Sequence, residues 1–169
     1  MTTIASLTSN DYDEWLVLWN GYLAFYKTRL NEKVTAATFE RITSPEGILH
    51  GAIARDDSGR AVGIVHWLTH AGTWTTTTLC YLEDLFVAPG ARSGGVGRRL
   101  IAHVEDWARK AGCEKVYWIT AESNSTARTL YDRVANFTGM VQYEIALGRT
   151  LRCLNNDVSL LWSLGDSNS

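Results

Sequence analysis

The chain has 169 residues, which suits one domain and suffices to bury a core. Apolar residues make up 46% and charged residues 20%, a globular balance that excludes a disordered chain. The formal net charge of −2 gives no basis for a general affinity for nucleic acid. Cys80, Cys113 and Cys153 are odd in number and widely spaced, which fits a reducing compartment better than a disulfide framework. No Cys/His group has zinc spacing, so no metal is expected. The first residues lack a basic segment followed by a long apolar run, and no apolar run approaches membrane-spanning length. The expected location is the cytoplasm, with no membrane partner.

Residues 2–7 read as a short strand. Thr8, Ser9, Asn10 and Asp11 then offer a helix N-cap. Tyr12, Trp15, Leu16, Trp19, Tyr22, Leu23 and Tyr26 follow at three- and four-residue steps, the apolar stripe of an amphipathic helix. A shorter helix is expected over about 35–42, broken by Ser44, Pro45, Glu46 and Gly47. Residues 49–54 and 61–68 flank the turn Asp56-Asp57-Ser58-Gly59 and predict an antiparallel hairpin. Residues 69–78, rich in Thr and Gly, read as a loop, and 79–87 as a third strand ended by Pro89-Gly90.

The pattern then changes. Val96, Leu100, Val104, Trp107, Ala108 and Ala111 have helical spacing, and Gly112 stops that helix. Residues 115–120 predict a strand, 125–134 a helix and 137–147 a final strand. The whole is an α/β domain over 1–147. Residues 148–169 form a tail with an apolar run at 158–164, suited to docking, to contact with another subunit, or to partial disorder.

The most informative segment joins the strand ending at Val87 to the helix beginning near Val96. Gly94, Gly95 and Gly97 lie close together there. Such a loop can bare several backbone N–H groups at a helix N-terminus, and those donors with the helix dipole suit a phosphate or pyrophosphate. Arg92, Arg98 and Arg99 add positive charge. A plain tight turn explains an isolated glycine loop equally well. A Walker loop needs Lys-Ser/Thr after its last glycine, where this chain has Arg98-Arg99. The dinucleotide fingerprint needs Gly or Ala where Leu100 stands.

Arg92-Ser93-Gly94-Gly95-Val96-Gly97 resembles the Arg/Gln-x-x-Gly-x-Gly/Ala signature of the GNAT superfamily of N-acetyltransferases. Asn124, Ala127, Leu130 and Tyr131 resemble that family's downstream Asn-x-x-Ala-x-x-(Leu/Phe)-Tyr segment. Taken alone, a helix cap and a core aromatic would account for the second match. The Gly-Phe that often follows this Tyr is replaced by Val134-Ala135-Asn136-Phe137. The strand at 81–87 is similar to the diamine (spermidine/spermine) acetyltransferases. The first helix, and Val116-Tyr117-Trp118 before Glu122-Ser123-Asn124, resemble the yeast histone and polyamine acetyltransferase group. The resemblance covers about residues 2–147.

It implies a GNAT fold: a central mixed, mostly antiparallel, twisted sheet flanked by helices, with coenzyme A at a splayed strand pair. The implied cosubstrate is acetyl-CoA. Its pyrophosphate would lie on the amides of Arg92, Ser93, Gly94, Gly95, Val96, Gly97 and Arg98, and its pantetheine arm on Leu85, Phe86 and Val87. Asn124 and Ala127 would complete the cofactor contacts. A homodimer or higher homo-oligomer is also implied.

An amine attacks a thioester only when neutral, yet an alkylamine is mostly protonated near pH 7. A carboxylate can remove that proton directly or through water. Glu83 and Asp84 are adjacent, so on a regular strand they face opposite ways. Glu83 matches the base of the diamine acetyltransferases and is chosen. Asp84 reads as a structural hydrogen-bonding group, but a bulge would turn it inward instead. Tyr131, a phenol, can protonate the leaving thiolate. Cys80 and Cys113 have no evident His partner, which argues against a thiol nucleophile. His66 and His70 flank the loop on the substrate side and read first as packed or surface residues. Trp19, Tyr22, Tyr26 and Trp74 are candidate walls of the acceptor site, with core packing the competing role. The expected activity is acetyl transfer to a small amine, polyamine, amino acid or lysine side chain. The alternative is an acyl-CoA-binding module without turnover.

Overall fold

The computed structural model describes residues 2–92, 94–145 and 147, so Ser93 and the tail at 148–169 lie outside it. The elements follow the chain as β1 (Thr3–Ser6), α1 (Tyr12–Phe25), α2 (Glu32–Thr43), β2 (Leu49–Arg55), β3 (Ala61–Ala71), β4 (Thr78–Val87), α3 (Val96–Lys110), β5 (Val116–Tyr117) and α4 (Ser125–Val134). They form one five-stranded sheet in the order β1-β2-β3-β4-β5. Every neighbouring pair is antiparallel except β4 and β5, which run parallel.

Local chemistry sets the helix ends. Before α1 the Thr8 backbone N–H and hydroxyl both donate to the Asp11 carboxylate at 2.7 Å, which closes a capping box around a short 3-10 turn. Asn31 caps α2 by accepting from the Val34 N–H at 2.9 Å. The α3 helix ends where Gly112 takes a φ of 73° and the Cys113 N–H donates to the Ala108 carbonyl at 2.9 Å. That is a Schellman closure, in which glycine relieves the Cβ clash of the left-handed region.

The sheet is covered on both faces. The α1 side buries Trp15, Leu18, Trp19, Leu23 and Phe39 against Ile53, Ile64 and Phe86. The α3 side buries Val96, Leu100, Val104 and Ala108 against Ala52, Ala54, Val65, Trp67, Cys80 and Leu82. Alternate residues of β2 and β3 thus serve opposite cores, as the two-residue period of a strand requires.

Two strands expected from the sequence differ in the structure. Residues 115–120 pair only at Val116 and Tyr117. Residues 137–145 contain no strand, although their apolar residues alternate as a strand's do. Phe137, Val141, Tyr143 and Ile145 are all largely exposed. Alternation marks a chain able to pair, but a strand also needs a partner edge, and β5 offers only two residues. The loop placed at 69–78 is also shorter, because β3 extends to Ala71.

Gly51 on β2 shows how tightly α2 seats on the sheet. A Cβ there would collide with Ile42 Cγ2, lie 2.7 Å from Leu7 Cδ1 and press on His66 Cδ2 at 3.2 Å. Gly51→Ala should therefore cost about 1–3 kcal/mol of stability as overpacking. Thermal unfolding should show a Tm lowered by several degrees, and an unchanged Tm would mean that α2 can shift freely.

Candidate active site

The site begins with an irregularity in β4. Across β3, His66 pairs with Asp84 and Trp67 pairs with Leu82, so Glu83 has no opposite residue. It is the extra residue of a β-bulge. Cys80 and Leu82 face the α3 core before the bulge, and Leu85 and Val87 pack on the same core after it. Glu83 and Asp84 therefore lie on the same side, towards α1. The expectation that neighbours point opposite ways holds for a regular strand and fails here for this reason.

Pairing between β4 and β5 ends at Tyr81 and Tyr117, while β4 continues to Val87. Residues 82–87 thus have a free edge on that side, where the chain after β5 leaves the sheet. Leu85 and Val87 are partly buried and Phe86 is buried. The gap is followed directly by the glycine loop. Gly95 is the N-cap of α3, with a φ of 74°, and no side chain caps the helix. The first amides of α3 are therefore left without intrahelical partners, which is the donor set a pyrophosphate needs. Gly94 and Gly95 are exposed, Val96 is buried under the loop and Arg98 is exposed. Arg92 donates from Nε to the Val87 carbonyl at 3.2 Å, and its guanidinium lies 6.0 Å from the Phe25 ring centroid. The residues present fit coenzyme A on these grounds. Gly97 is different: a Cβ there would meet Leu130 Cδ2 at 3.2 Å, so it is also a packing contact between α3 and α4.

Tyrosines gather at the mouth of the gap. On α1, Trp15, Trp19 and Tyr22 form a stacked array with centroid spacings of 5.5 and 5.2 Å, continued by Tyr26 at 4.9 Å. Burial, the Asp84 charge and a hydrogen bond to Asp84 push the Tyr22 phenol far above its ordinary range. Burial first and the neighbouring Glu83 second push Tyr81 up to about 12. Tyr131 reaches in from α4, packed on Trp118 at 5.3 Å. Burial, with a smaller effect from Tyr26, pushes it up to about 12. A phenol so placed stays protonated. Glu83 keeps part of its side chain in solvent, but burial and then the Asp84 charge raise its carboxyl above the usual range.

Among the residues picked from sequence, Glu83, Asp84, Tyr22, Tyr26 and Tyr131 come together. Trp19 is buried in the array and supports Tyr22. Trp74 is fully exposed on the loop after β3 and is not part of the cluster. Asn124 is the residue before α4 and donates to Thr120 Oγ1 at 3.2 Å. Ala127 is half-buried on α4. Sequence reasoning missed Tyr81 and Tyr117. Tyr81 shares strand parity with Glu83, which was a usable signal. Tyr117 joins only through the β4–β5 register, and its hydroxyl lies 2.8 Å from His70 Nε2. His66 is fully buried, with Nε2 2.9 Å from Trp15 Nε1 and Nδ1 2.9 Å from Asp84 Oδ2. Among the described residues there is no group of three metal-ligating side chains, and no helix is long and apolar enough to cross a membrane.

An open edge on β4, an uncapped glycine N-terminus and an acidic, phenolic cluster thus lie along one strand and the loop that follows it. Residues 12–137 match the acetyltransferase (GNAT) family, and the chain belongs to it. It is a GNAT-type N-acetyltransferase. It is 37% identical over 142 residues to the D-amino-acid N-acetyltransferase HPA3 of Saccharomyces cerevisiae, covering 83% of this chain and 88% of that protein. It is 27% identical over 129 residues to the uncharacterized N-acetyltransferase YhfO of Bacillus subtilis, covering 75% and 85% of the two chains. The fold is shared with the aminoglycoside N-acetyltransferase AAC(6')-Iy in complex with CoA, at a TM-score of 0.75 and 21% identity over 88% of this chain and 96% of that one. A ribosomal-protein-alanine N-acetyltransferase from Brucella melitensis superposes with a TM-score of 0.72 at 20% identity, over 86% and 99% of the two chains.

Cys80 is fully buried, and burial pushes its thiol up to about 12, helped by Cys113. At neutral pH it holds almost no thiolate, the reactive form. Iodoacetamide on the folded protein should label Cys113 well before Cys80, as read by peptide mass spectrometry. Equal labelling would mean that the Cys80 side of β4 opens readily.

Proposed function

We propose that this chain transfers the acetyl group of acetyl-CoA to the primary amine of a small molecule by direct attack in a ternary complex. The observation that supports this most is the bulge, which sets Glu83 and Asp84 together at the open edge of β4. The D-amino-acid specificity in the name of the yeast relative makes D-amino acids the first acceptors to test. The cosubstrate's pyrophosphate would rest on the α3 N-terminal amides, and its pantetheine arm on the free β4 edge at Leu85, Phe86 and Val87.

Glu83 takes the proton of the acceptor ammonium, directly or through a water. The freed nitrogen attacks the thioester carbonyl carbon. The C–N bond forms, the nitrogen releases its second proton to water and the C–S bond breaks, and a β4 backbone N–H stabilises the oxyanion between. Tyr131 protonates the departing thiolate and is reprotonated from solvent. The burial that disfavours its phenolate equally disfavours a thiolate in the same place, which keeps the transfer feasible. The thiol of Cys80 is too deeply buried to serve as an acyl carrier.

Two measurements test this reading. Gly94 has no left-handed φ, and a Cβ there would meet only the Ala91 carbonyl at 3.5 Å. Gly94→Val should therefore fold normally and lose at least about tenfold in coenzyme A affinity by calorimetry, about 1.4 kcal/mol. Unchanged affinity would remove this loop from the cofactor site. For the base, the rate should fall as pH falls through the raised Glu83 ionisation, because only the carboxylate accepts a proton. Glu83→Gln should lower kcat/KM by about 10²-fold at neutral pH and recover towards high pH, where solvent supplies neutral amine. A flat pH-independent loss would assign Glu83 a different role.

A further inference from the structure

Asp84 is a nearly buried carboxylate, with 14% of its side chain exposed. A charge so placed needs a positive partner or a full set of hydrogen bonds. Among the described residues no lysine or arginine pairs with it or with Glu83. Its ion-pair geometry is to His66 alone, Nδ1 to Oδ2 at 2.9 Å.

The state of His66 follows from its other nitrogen. The indole N–H of Trp15 lies 2.9 Å from His66 Nε2. An indole nitrogen can only donate, so Nε2 must present its lone pair. The imidazole is then neutral, and its one proton sits on Nδ1, aimed at Asp84. His66 therefore gives Asp84 a hydrogen bond and no charge.

The other groups facing this pair do not supply a cation either. From α1 they are Tyr22 and Tyr26, from β4 Tyr81 and Glu83, and from β5 Tyr117. From β2 the neighbour of His66 is Gly51, which has no side chain. Lys115 lies 5.6 Å from the Tyr117 ring centroid and pairs with neither carboxylate. Two adjacent carboxylates among neutral phenols thus form an anionic, aromatic recess that lacks its counter-charge.

We infer that Asp84 is the anchor for the acceptor's ammonium group, and that His66, locked by Trp15 as the Nδ1–H tautomer, is the positioning residue that holds the Asp84 carboxylate towards it. The inference rests on the acetyl-transfer reading and extends it. It divides the work of the two acids, with Asp84 binding the cation and Glu83 taking its proton. The phenol rings around the recess favour a cation by their π faces.

The lock is tested on the whole chain by nitrogen-edited NMR of the imidazoles. His66 should show the Nδ1–H tautomer, as its contacts with Trp15 and Asp84 require. Trp15→Phe, which removes the indole donor together with part of the ring, should let His66 change tautomer. A wild-type His66 with its proton on Nε2 overturns the proposal. The anchor is tested by calorimetry of D-phenylalanine and D-phenylalaninamide with the coenzyme A complex. These two share an ammonium and differ in the carboxylate. Asp84→Asn should weaken both by at least tenfold and leave coenzyme A affinity unchanged. His66→Asn should raise the KM of the amine more than it lowers kcat. Wild-type amine binding by Asp84→Asn with intact coenzyme A affinity overturns the anchor and spares the acetyl-transfer reading. Failure of the wild-type chain to bind coenzyme A alone overturns that reading, and the anchor with it.

Discussion

Pairing between β3 and β4 slips by one residue opposite His66, and the functional geometry depends on that slip. A regular strand would send Glu83 and Asp84 to opposite faces of the sheet. One of them would then enter the α3 core, where Leu82 and Leu85 now lie. The bulge spares that core a buried charge and concentrates two carboxylates on the other side. A charge in the α3 core without a partner would cost several kcal/mol, which is why the parity must change between Leu82 and Leu85.

The same strand serves three purposes along its length. Its first half pairs with β5 and seals the sheet. Its middle carries the acids. Its last residues, Leu85, Phe86 and Val87, keep an unpaired backbone edge and lead into the α3 N-terminus. An open edge of this kind is normally a liability. Here it lies beside uncapped amides, so two sets of backbone hydrogen-bonding groups are available to one extended ligand. The buried array of Trp15, Trp19 and Tyr22 fixes the position of α1 over this edge, and its indole and phenol ends turn towards His66 and Asp84. Core packing and the placement of the Asp84 carboxylate thus draw on the same side chains. The hydrogen bond from His66 to the Asp84 carboxylate, about 1.5–3 kcal/mol in such a setting, links the core to the site.

Much of this was legible in the chain itself. The three- and four-residue spacing of aromatic residues placed α1, because a helix brings every third and fourth side chain onto one face. The strand, glycine loop and helix succession located the turn into α3, because its glycines and following helix have local conformational causes. Val116 and Tyr117 were recognised as strand residues, and Glu83, Asp84 and Tyr131 as candidates for chemistry. The helix, loop and strand depend on neighbours within a few positions, so a single sequence carries them, whereas Glu83 and Tyr131 were singled out by resemblance to acetyltransferase motifs. The alternation at residues 137–145 carried the same local signal and misled, because a strand exists only when another strand accepts its hydrogen bonds.

What tertiary structure alone decided is the set of contacts between residues far apart in sequence. The register of β3 on β4 is set by the joint fit of two cores, and it determined which way Asp84 points. His66 meets Trp15 across 51 positions and Asp84 across 18, and no local pattern marks either pairing. Trp74 and Trp19 were both candidate walls of the acceptor site, yet the first is fully exposed on its Thr- and Gly-rich loop and the second is buried, since only the second has a sheet beneath it. The sequence determined which residues could carry acetyl transfer, through side-chain chemistry and local backbone preference. The fold decided which of them share one recess, because a one-residue slip in strand pairing is a property of two strands and the helices packed on them.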